Sequence, residues 1–593
     1  MNKILLTLGL VAVTFVACKA PTAEEKAKEA AKSDKADGAK KPITQAVQGV
    51  ESKLVKPMAD GSLVMLPWNE QGDKIPDFSY CGYRNGGVKI PDVPTLVTLE
   101  PSGAEDDSAR IQTALDDLGK SLAKTPDARG AILLKKGLWK VNKTLTMSYS
   151  GVVLRGEGDG EDGTVLLATG TWRFFSISID SGRPGLGWPS VPSTGQDQPY
   201  VPVGATSFKI AKEDDAKYAH HPAKPSPIKD LKPGDGIVIM KAPSTKWIKD
   251  MGMDVYNWSG GQASAFFERK LVSFSKGELV FDVPLPQALD ANYGGGVVYQ
   301  APPDFRIREC GVENIRFDST YDAAIRYTYK GYEHASDEVH CAFGLGVAKT
   351  ENVWIRNCTT IHLQHGFVLL GEGARNITVQ DCKNFDAVSK IAGGRRYSYL
   401  LAKGAGPSIL IQRCTSRNGR HDFMTQDHVY GPNAFVDCSA ESAWDASENH
   451  QKWAMGTLYD NVRVTGPMSG LVSANRGRWG NGHGWSGNTT VFWNCASPVI
   501  FALKPPLGQN YMIGCSDPKL FDPVRAKATI SNQNNASGRK DELVVGEALQ
   551  GTAWKESPNE MVSPRSLYYA QLQSRLGKAA VENVTTAEQR QKH

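Results

Sequence analysis

Through the second half of the chain, apolar and polar positions alternate in short runs that end alike: apolar, any, apolar, any, then Asn or Asp, then Cys. Val353-Trp354-Ile355-Arg356-Asn357-Cys358 and Ile377-Thr378-Val379-Gln380-Asp381-Cys382 are clear copies, and Thr490-Val491-Phe492-Trp493-Asn494-Cys495 is a third with Thr in the first slot. Looser copies end at Cys310, Cys414, Cys438 and Cys515, and Tyr459-Asp460-Asn461 ends one without a Cys. Cys358 to Cys382 and Cys414 to Cys438 are steps of 24 residues, Cys382 to Cys414 is 32, and Cys495 to Cys515 is 20. A period-2 run is a strand, and a repeat of this length is a stacked unit. The pattern predicts the coils of a parallel β-solenoid, in which residues at equivalent coil positions line one face.

Upstream, Gly103-Ala104-Glu105-Asp106-Asp107-Ser108 reads as a helix N-terminus, and Ile111 to Leu115 continue with helical spacing. Gly130 to Leu134, Gly137 to Val141 and Val152 to Gly158 are short strands divided by glycine turns. Residues 200–300 break the repeat and predict a β-rich insertion. Its Trp247, Trp258, Phe266 and Phe267 either stack on sugar rings or form a small core of their own. After residue 520 the pattern fades, and 577–593 reads as a polar tail. The predicted organisation is 61–199 for an N-terminal segment and the first coils, 200–300 for the insertion, 301–520 for the main solenoid and 521–593 for a C-terminal extension.

Asp106-Asp107-Ser108, then Ile111-Gln112-Thr113-Ala114, then Gly137-Leu138-Trp139-Lys140-Val141, then Val152-Val153-Leu154-Arg155-Gly156-Glu157-Gly158 resembles the opening of the pectate-lyase-like right-handed parallel β-helix superfamily. The resemblance covers about residues 75–170, and the repeat carries it to about 520. It implies an all-β right-handed parallel β-helix whose first coil is capped by a short helix. Lyases, hydrolases, epimerases and phage tailspikes share that opening, so it does not decide the activity.

Composition is ordinary for a large globular protein, with 40% hydrophobic and 22% charged residues in 593. A net charge of +5 sets aside a strongly basic nucleic-acid binder but allows a locally basic groove. Seven cysteines at matching coil positions read as small apolar fillers of a narrow interior rather than as a disulfide framework. Beside them, the Asn or Asp side chains are expected to bond neighbouring turn backbones. Removing Cys18 leaves nine cysteines, so at least one thiol stays unpaired. Met1 to Ala17 reads as a signal peptide, with Lys3 before an apolar run from Ile4 to Val16. Phe15-Val16-Ala17-Cys18 resembles a bacterial lipobox, which makes Cys18 the expected lipidation site. Lys19 after it suggests the outer membrane or cell surface. Residues 19–60, short of aromatics and full of Ala, Lys and Glu, read as a flexible tether. Beyond the lipid anchor no membrane contact is expected, and the chain is expected to act as a monomer.

The densest polar block runs from Arg395 to Trp485: Arg395-Arg396-Tyr397, Arg420-His421-Asp422-Phe423, His450-Gln451-Lys452-Trp453, Asn475-Arg476-Gly477 and His483-Gly484-Trp485. The first four phrases recur about once per coil, and parallel neighbours stack about 4.8 Å apart, so they form a column. Five of the eleven histidines, His365, His421, His428, His450 and His483, fall between residues 365 and 483. Arginine pairs bidentately with carboxylate or sulfate, and His and Tyr can move protons. The expected catalytic residues are His421, His450, Tyr397 and Arg420. Substrate binding is expected from Arg395, Arg396, Lys452, Trp453, Asn475, Arg476, His483 and Trp485. The same phrases resemble a branch of secreted bacterial pectate-lyase-like proteins that carry Arg-His-Asp-Phe, His-x-x-Trp and Gly-His-Gly-Trp.

Three functions compete. β-Elimination on a uronate-containing polysaccharide, sulfated or not, needs a cation for the carboxylate (Arg396, Arg420 or Lys452), a base for the C5 proton (His421 or His450) and an acid for the leaving oxygen (Tyr397 or a His). Hydrolysis needs two positioned carboxylates, for which Asp422, Asp427 and Asp445 are available. A non-catalytic glycan-binding solenoid needs neither. The expected partner in each case is an acidic polysaccharide. No cofactor is expected. Calcium stays open, although the repeat shows no dense acidic cluster.

Overall fold

Each repeat folds as a strand, one left-handed residue and a buried Cys. Asn357, Asp381, Arg413, Asp437, Asn461 and Asn494 all have φ between 50° and 55°. The left-handed region costs most L-residues about 1–2 kcal/mol and costs Asn and Asp least, which explains the residue choice before Cys. The turn N–H then donates to the carbonyl that precedes the next coil's turn: Asn357 to Gln380 (3.2 Å), Asp381 to Gln412 (3.2 Å), Asp437 to Asp460 (2.9 Å) and Asn461 to Trp493 (2.9 Å). The turn-to-turn ladder thus runs through backbone, not through the side chains as expected. Those side chains reach other partners, as in Asp381–Arg413 and Asp437–Arg565, both 2.6 Å. Each thiol donates to the carbonyl two residues before it, Cys358 to Arg356 (3.3 Å), Cys382 to Gln380 (3.1 Å) and Cys414 to Gln412 (3.3 Å). All nine described cysteines are buried and unpaired.

The computed structural model describes residues 49–185, 192–211, 231–302, 304–477, 479–516 and 553–591. Three stacks of parallel strands wind into a parallel β-helix. The first stack climbs from Gly130–Leu134 through Thr350–Arg356, Ile409–Gln412 and Gly487–Trp493 to Trp554–Glu556. The second begins just after the left-handed turn and includes Thr359–Ile361, Lys383–Phe385 and Thr415–Arg417. The third runs through Phe175–Asp180, Phe343–Ala348, Gly366–Leu370, Tyr397–Leu401 and His421–Thr425. Ser447–Glu448, Leu471–Ser473 and Ile500–Ala502 continue it upward, joined through the Thr425–Asn449 bridge. Inward side chains of all three form one core, including Ile355, Cys358, Tyr399, Cys414 and Phe423. The predicted capping helix spans Ser108–Leu122 and buries Ile111, Leu115 and Leu118 in that core.

The insertion is an antiparallel sheet in which Gly236–Lys241 lies between Ala265–Ser275 and Gly296–Gln300. Trp247, Trp258 and Phe267 are buried in its core, so the small-core reading holds for these three and not sugar stacking. That core also takes in Trp453, Met455 and Trp485 from the solenoid.

Two boundaries differ from expectation. The tether was placed as far as residue 60, yet Val50–Glu51 pairs with Val562–Ser563, and Leu54 and Val55 are buried. The expected polar tail is helical. Leu567–Leu576 and Lys578–Val584 pack Tyr568, Leu572 and Val581 onto Leu410, Leu458 and Trp493, which point outward from the first stack. Cys18 and the signal segment lie outside the described residues. Among the described residues no helix is long and apolar enough to cross a membrane.

If the left-handed turn dictates the repeat, Asn357→Gly keeps the melting temperature, while Asn357→Val lowers stability by about 1–2 kcal/mol. Equal melting temperatures for the two variants would contradict the assignment.

Candidate active site

Parallel register places one residue above another at each coil. Tyr397 pairs directly with His421 across adjacent strands of the third stack. Their rings belong to a file that crosses six coil positions: Phe343–His365 at 4.8 Å, His365–Tyr397 at 6.0 Å, Tyr397–His421 at 5.2 Å, His421–His450 at 4.9 Å and His450–His483 at 5.2 Å between centroids. His421 is fully buried, whereas 11% of the His450 side chain is exposed. His450 is thus the better placed of the two to meet a substrate.

Two arginines and two carboxylates close around these rings. Glu448, at the end of its strand, lies 2.6 Å from His450 Nδ1 and 2.8 Å from Arg476 Nη1. Arg476 Nη1 also donates to the His450 carbonyl at 2.6 Å, and it lies equally close to His450 Nδ1. Asp445 Oδ2 lies 3.4 Å from Arg420 and 3.7 Å from His421 Nε2. His421 Nδ1 faces the Ala446 carbonyl at 2.6 Å. Arg420 donates to the Gly393 carbonyl, which also accepts from the Tyr397 hydroxyl at 3.1 Å, so the guanidinium charge lies beside the phenol.

Burial sets the protonation states. It pushes His421 and His450 well below the usual imidazole value, with the nearby arginines adding to the effect. His483 falls to about 3 by burial and by Arg476. All three rings are therefore neutral at pH 7. Burial raises the Tyr397 phenol while Arg420 and Arg476 pull against it, so it keeps its proton. Burial also pushes the Glu448 carboxyl up to about 8, against the pull of Arg476.

Of the expected site residues, Tyr397, Arg420, His421, His450, Arg476 and His483 come together here. Four others do not serve the column as expected. Arg396 is buried and braces a loop, donating to the Ser389 carbonyl at 2.7 Å and the Asn418 carbonyl at 3.2 Å. Arg395 is paired with Glu338 at 2.5 Å. Trp453 donates to Gln287 at 2.9 Å and packs edge-on against Trp247 at 5.1 Å. Trp485 donates to the Met251 carbonyl at 3.2 Å. Both tryptophans hold the insertion to the solenoid, because their outward rings meet its apolar core. Lys452 remains at the edge, its backbone N–H bonded to the His483 carbonyl at 3.2 Å. Asn475 caps a turn by accepting from the Gly477 N–H at 2.9 Å.

The carboxylates sort differently from expectation. Asp422 points into the solenoid, where Ser398 and Ser416 donate to it. Asp427 pairs with His428 and is not in the file. Asp445 is at the site, and so is Glu448, which sequence reading missed because it lies on the short strand before His450 without a repeat phrase. Also missed was the hairpin Arg326–Tyr329 and Tyr332–Ala335, whose Tyr329, Tyr332 and His334 surround Trp444 beside Asp445. Arg173 is another addition, with Nη2 2.6 Å from His365 Nε2 at the far end of the file.

His421, Glu448 and His450 are close enough to hold a metal, with one donor atom from each inside 4.8 Å. Two imidazoles and a carboxylate suit zinc rather than calcium, which takes oxygen donors. The Arg476 guanidinium already lies against both Glu448 and His450, so the residues present do not fit a second cation there.

No protein-family model and no curated protein matches the chain. Similar solved structures include ORF18 of Geobacillus virus E2, at 10% identity over 72% of this chain and 58% of that one, with a TM-score of 0.34. The tailspike gp61 of Pseudomonas phage phi297 matches at 11% over 70% and 74%, with a TM-score of 0.26. DFA-IIIase from Arthrobacter chlorophenolicus A6 matches at 11% over 71% and 73%, with a TM-score of 0.28. The chain thus spans 58% of the length of the Geobacillus virus protein. Scores this low carry no argument about activity, and the fold rests on the strand pairing described above.

If Trp453 serves packing, Trp453→Phe removes one buried hydrogen bond to Gln287 and lowers stability by about 1–3 kcal/mol. An unchanged melting temperature would contradict the packing role.

Proposed function

We propose that the chain is a polysaccharide lyase that cleaves an acidic, uronate-containing glycan, sulfated or not, by β-elimination. One observation carries this reading: a neutral imidazole, a protonated phenol and an arginine meet on one face, His450, Tyr397 and Arg420. Arg420 would face the substrate carboxylate and stabilise the charge that develops when C5 loses its proton. His450 would take that proton on Nε2, with Nδ1–H donated to Glu448. As the C5 electron pair forms the C4–C5 double bond, the C4–O bond breaks and Tyr397 protonates the leaving oxygen. His421, closed off from solvent, positions Tyr397 and His450 rather than touching substrate.

A second reading has its own support. Hydrolysis needs two carboxylates, and Asp445 and Glu448 approach opposite nitrogens of His421, at 3.7 and 3.3 Å. Each is already engaged by an arginine, which disfavours it as the acid or nucleophile of a hydrolase.

Incubation with a panel of acidic glycans separates these readings. A lyase produces the ultraviolet absorbance of an unsaturated uronate. New reducing ends without that absorbance would make it a hydrolase, and binding without cleavage a glycan-binding solenoid. For a lyase, His450→Ala and Tyr397→Phe each lower turnover about a hundredfold or more, the usual scale for losing a general base or acid. Folded variants with near-wild-type turnover would overturn the assignment.

The Glu448 carboxyl also implies a pH dependence. Below about 8 it holds a proton and competes with the Nδ1–H of His450. Above that value the carboxylate accepts Nδ1–H and leaves Nε2 free as base, so turnover rises with pH through about 8. Glu448→Gln, which accepts at every pH, should flatten this rise. An unaltered rise in Glu448→Gln would assign it to another group.

A further inference from the structure

A cavity of about 420 Å3 lies among the insertion, the N-terminal segment and the late coils, and none of its lining residues belongs to the ring file. Its polar groups are unevenly satisfied. Asp73 already accepts from Asn69, Tyr200 and the Val203 N–H, each at 2.8 Å. Asp290 is taken up by the Asn292 N–H at 2.8 Å. Among the described residues neither Lys241 nor Lys504 forms an ion pair, although the Asp290 charge acts on Lys241 from farther off. Lys241 is 4% exposed, donates to the Ala263 carbonyl at 2.7 Å and lies 4.5 Å from the centre of the Trp247 ring. Burial brings it down to about 7. Asn488 is 1% exposed, and its Nδ2 finds no hydrogen-bond partner, although its Oδ1 accepts from the Gln509 N–H at 3.2 Å. A buried amide left without an acceptor is costly unless something supplies one.

We propose that this cavity is a second binding site, for a carboxylated sugar of one or two rings. The carboxylate would face Lys241 and Lys504, and a hydroxyl would accept from Asn488 Nδ2; Lys504 lies 5.7 Å from the centre of the Trp68 ring and Lys246 4.5 Å from that of Tyr293, so these rings hold the cations that line the cavity. The size is that of a small-ligand pocket, commonly about 300–1,000 Å3, and an inorganic anion alone would fill little of it. The proposal does not depend on β-elimination, because a free monosaccharide has no glycosidic bond to break.

The test is calorimetric titration of the full chain with galacturonate, with galactose as its neutral counterpart and sulfate as a bare anion. Saturable galacturonate binding is expected, at least about tenfold tighter than for either control. Lys241→Met, Asn488→Ala and the more exposed Lys504→Ala should each weaken it by about tenfold, while Arg420→Ala, which removes the carboxylate partner of the ring file, leaves it intact. Lys504→Ala carries the test at an unchanged melting temperature if the buried variants fail to fold. The proposal is overturned by absent binding, by equal affinity for galactose or sulfate, or by binding that survives the cavity variants and disappears in Arg420→Ala.

Discussion

Parallel pairing at about 4.8 Å per coil forces side chains at equivalent positions into contact, whatever their chemistry. In the interior this constraint produces the stacked cysteines, and at the turns it selects residues that tolerate left-handed φ. On the third stack it places Tyr397, His421 and His450 ring against ring, three residues that lie far apart along the chain. The candidate site is thus a consequence of register. A slip of one residue would turn the Tyr397 and His421 side chains into the core.

The same stacking brings charges together where water is scarce. Desolvation alone would make a buried carboxylate or guanidinium very costly, so each must face its opposite. Glu448 with Arg476 and Asp445 with Arg420 meet that requirement. Burial, with the arginines adding to it, leaves the imidazoles neutral, and a neutral imidazole is the form that can accept a proton. Stability and the proposed chemistry therefore draw on the same four ionisable groups.

Much of the fold was legible in the sequence because its cause is local. A period-2 run ending in Asn-Cys encodes a strand, a left-handed turn and a buried residue within six positions, and the capping helix at Ser108 has its own N-terminal signal. The ring file was legible to the extent that its phrases recur with the coil. What escaped is what depends on distant partners. Outward Leu410, Leu458 and Trp493 were apolar for a reason that only the C-terminal helices reveal. Trp453 and Trp485 looked like sugar platforms but face the insertion, since a surface aromatic has the same sequence signature as a docking aromatic. Arg396 carried a turn rather than a substrate. Glu448 had no phrase to mark it, because its role comes from the coil above, through Arg476.

The central claim is that Arg420 holds a uronate carboxylate while His450 faces its C5 proton. A crystal structure of the Tyr397→Phe protein with a uronate oligosaccharide tests it directly. The account predicts a carboxylate within about 3 Å of the Arg420 guanidinium and the C5–H bond directed at His450 Nε2. A glycosidic oxygen held between Asp445 and Glu448, or an oligosaccharide bound away from the ring file, would contradict it.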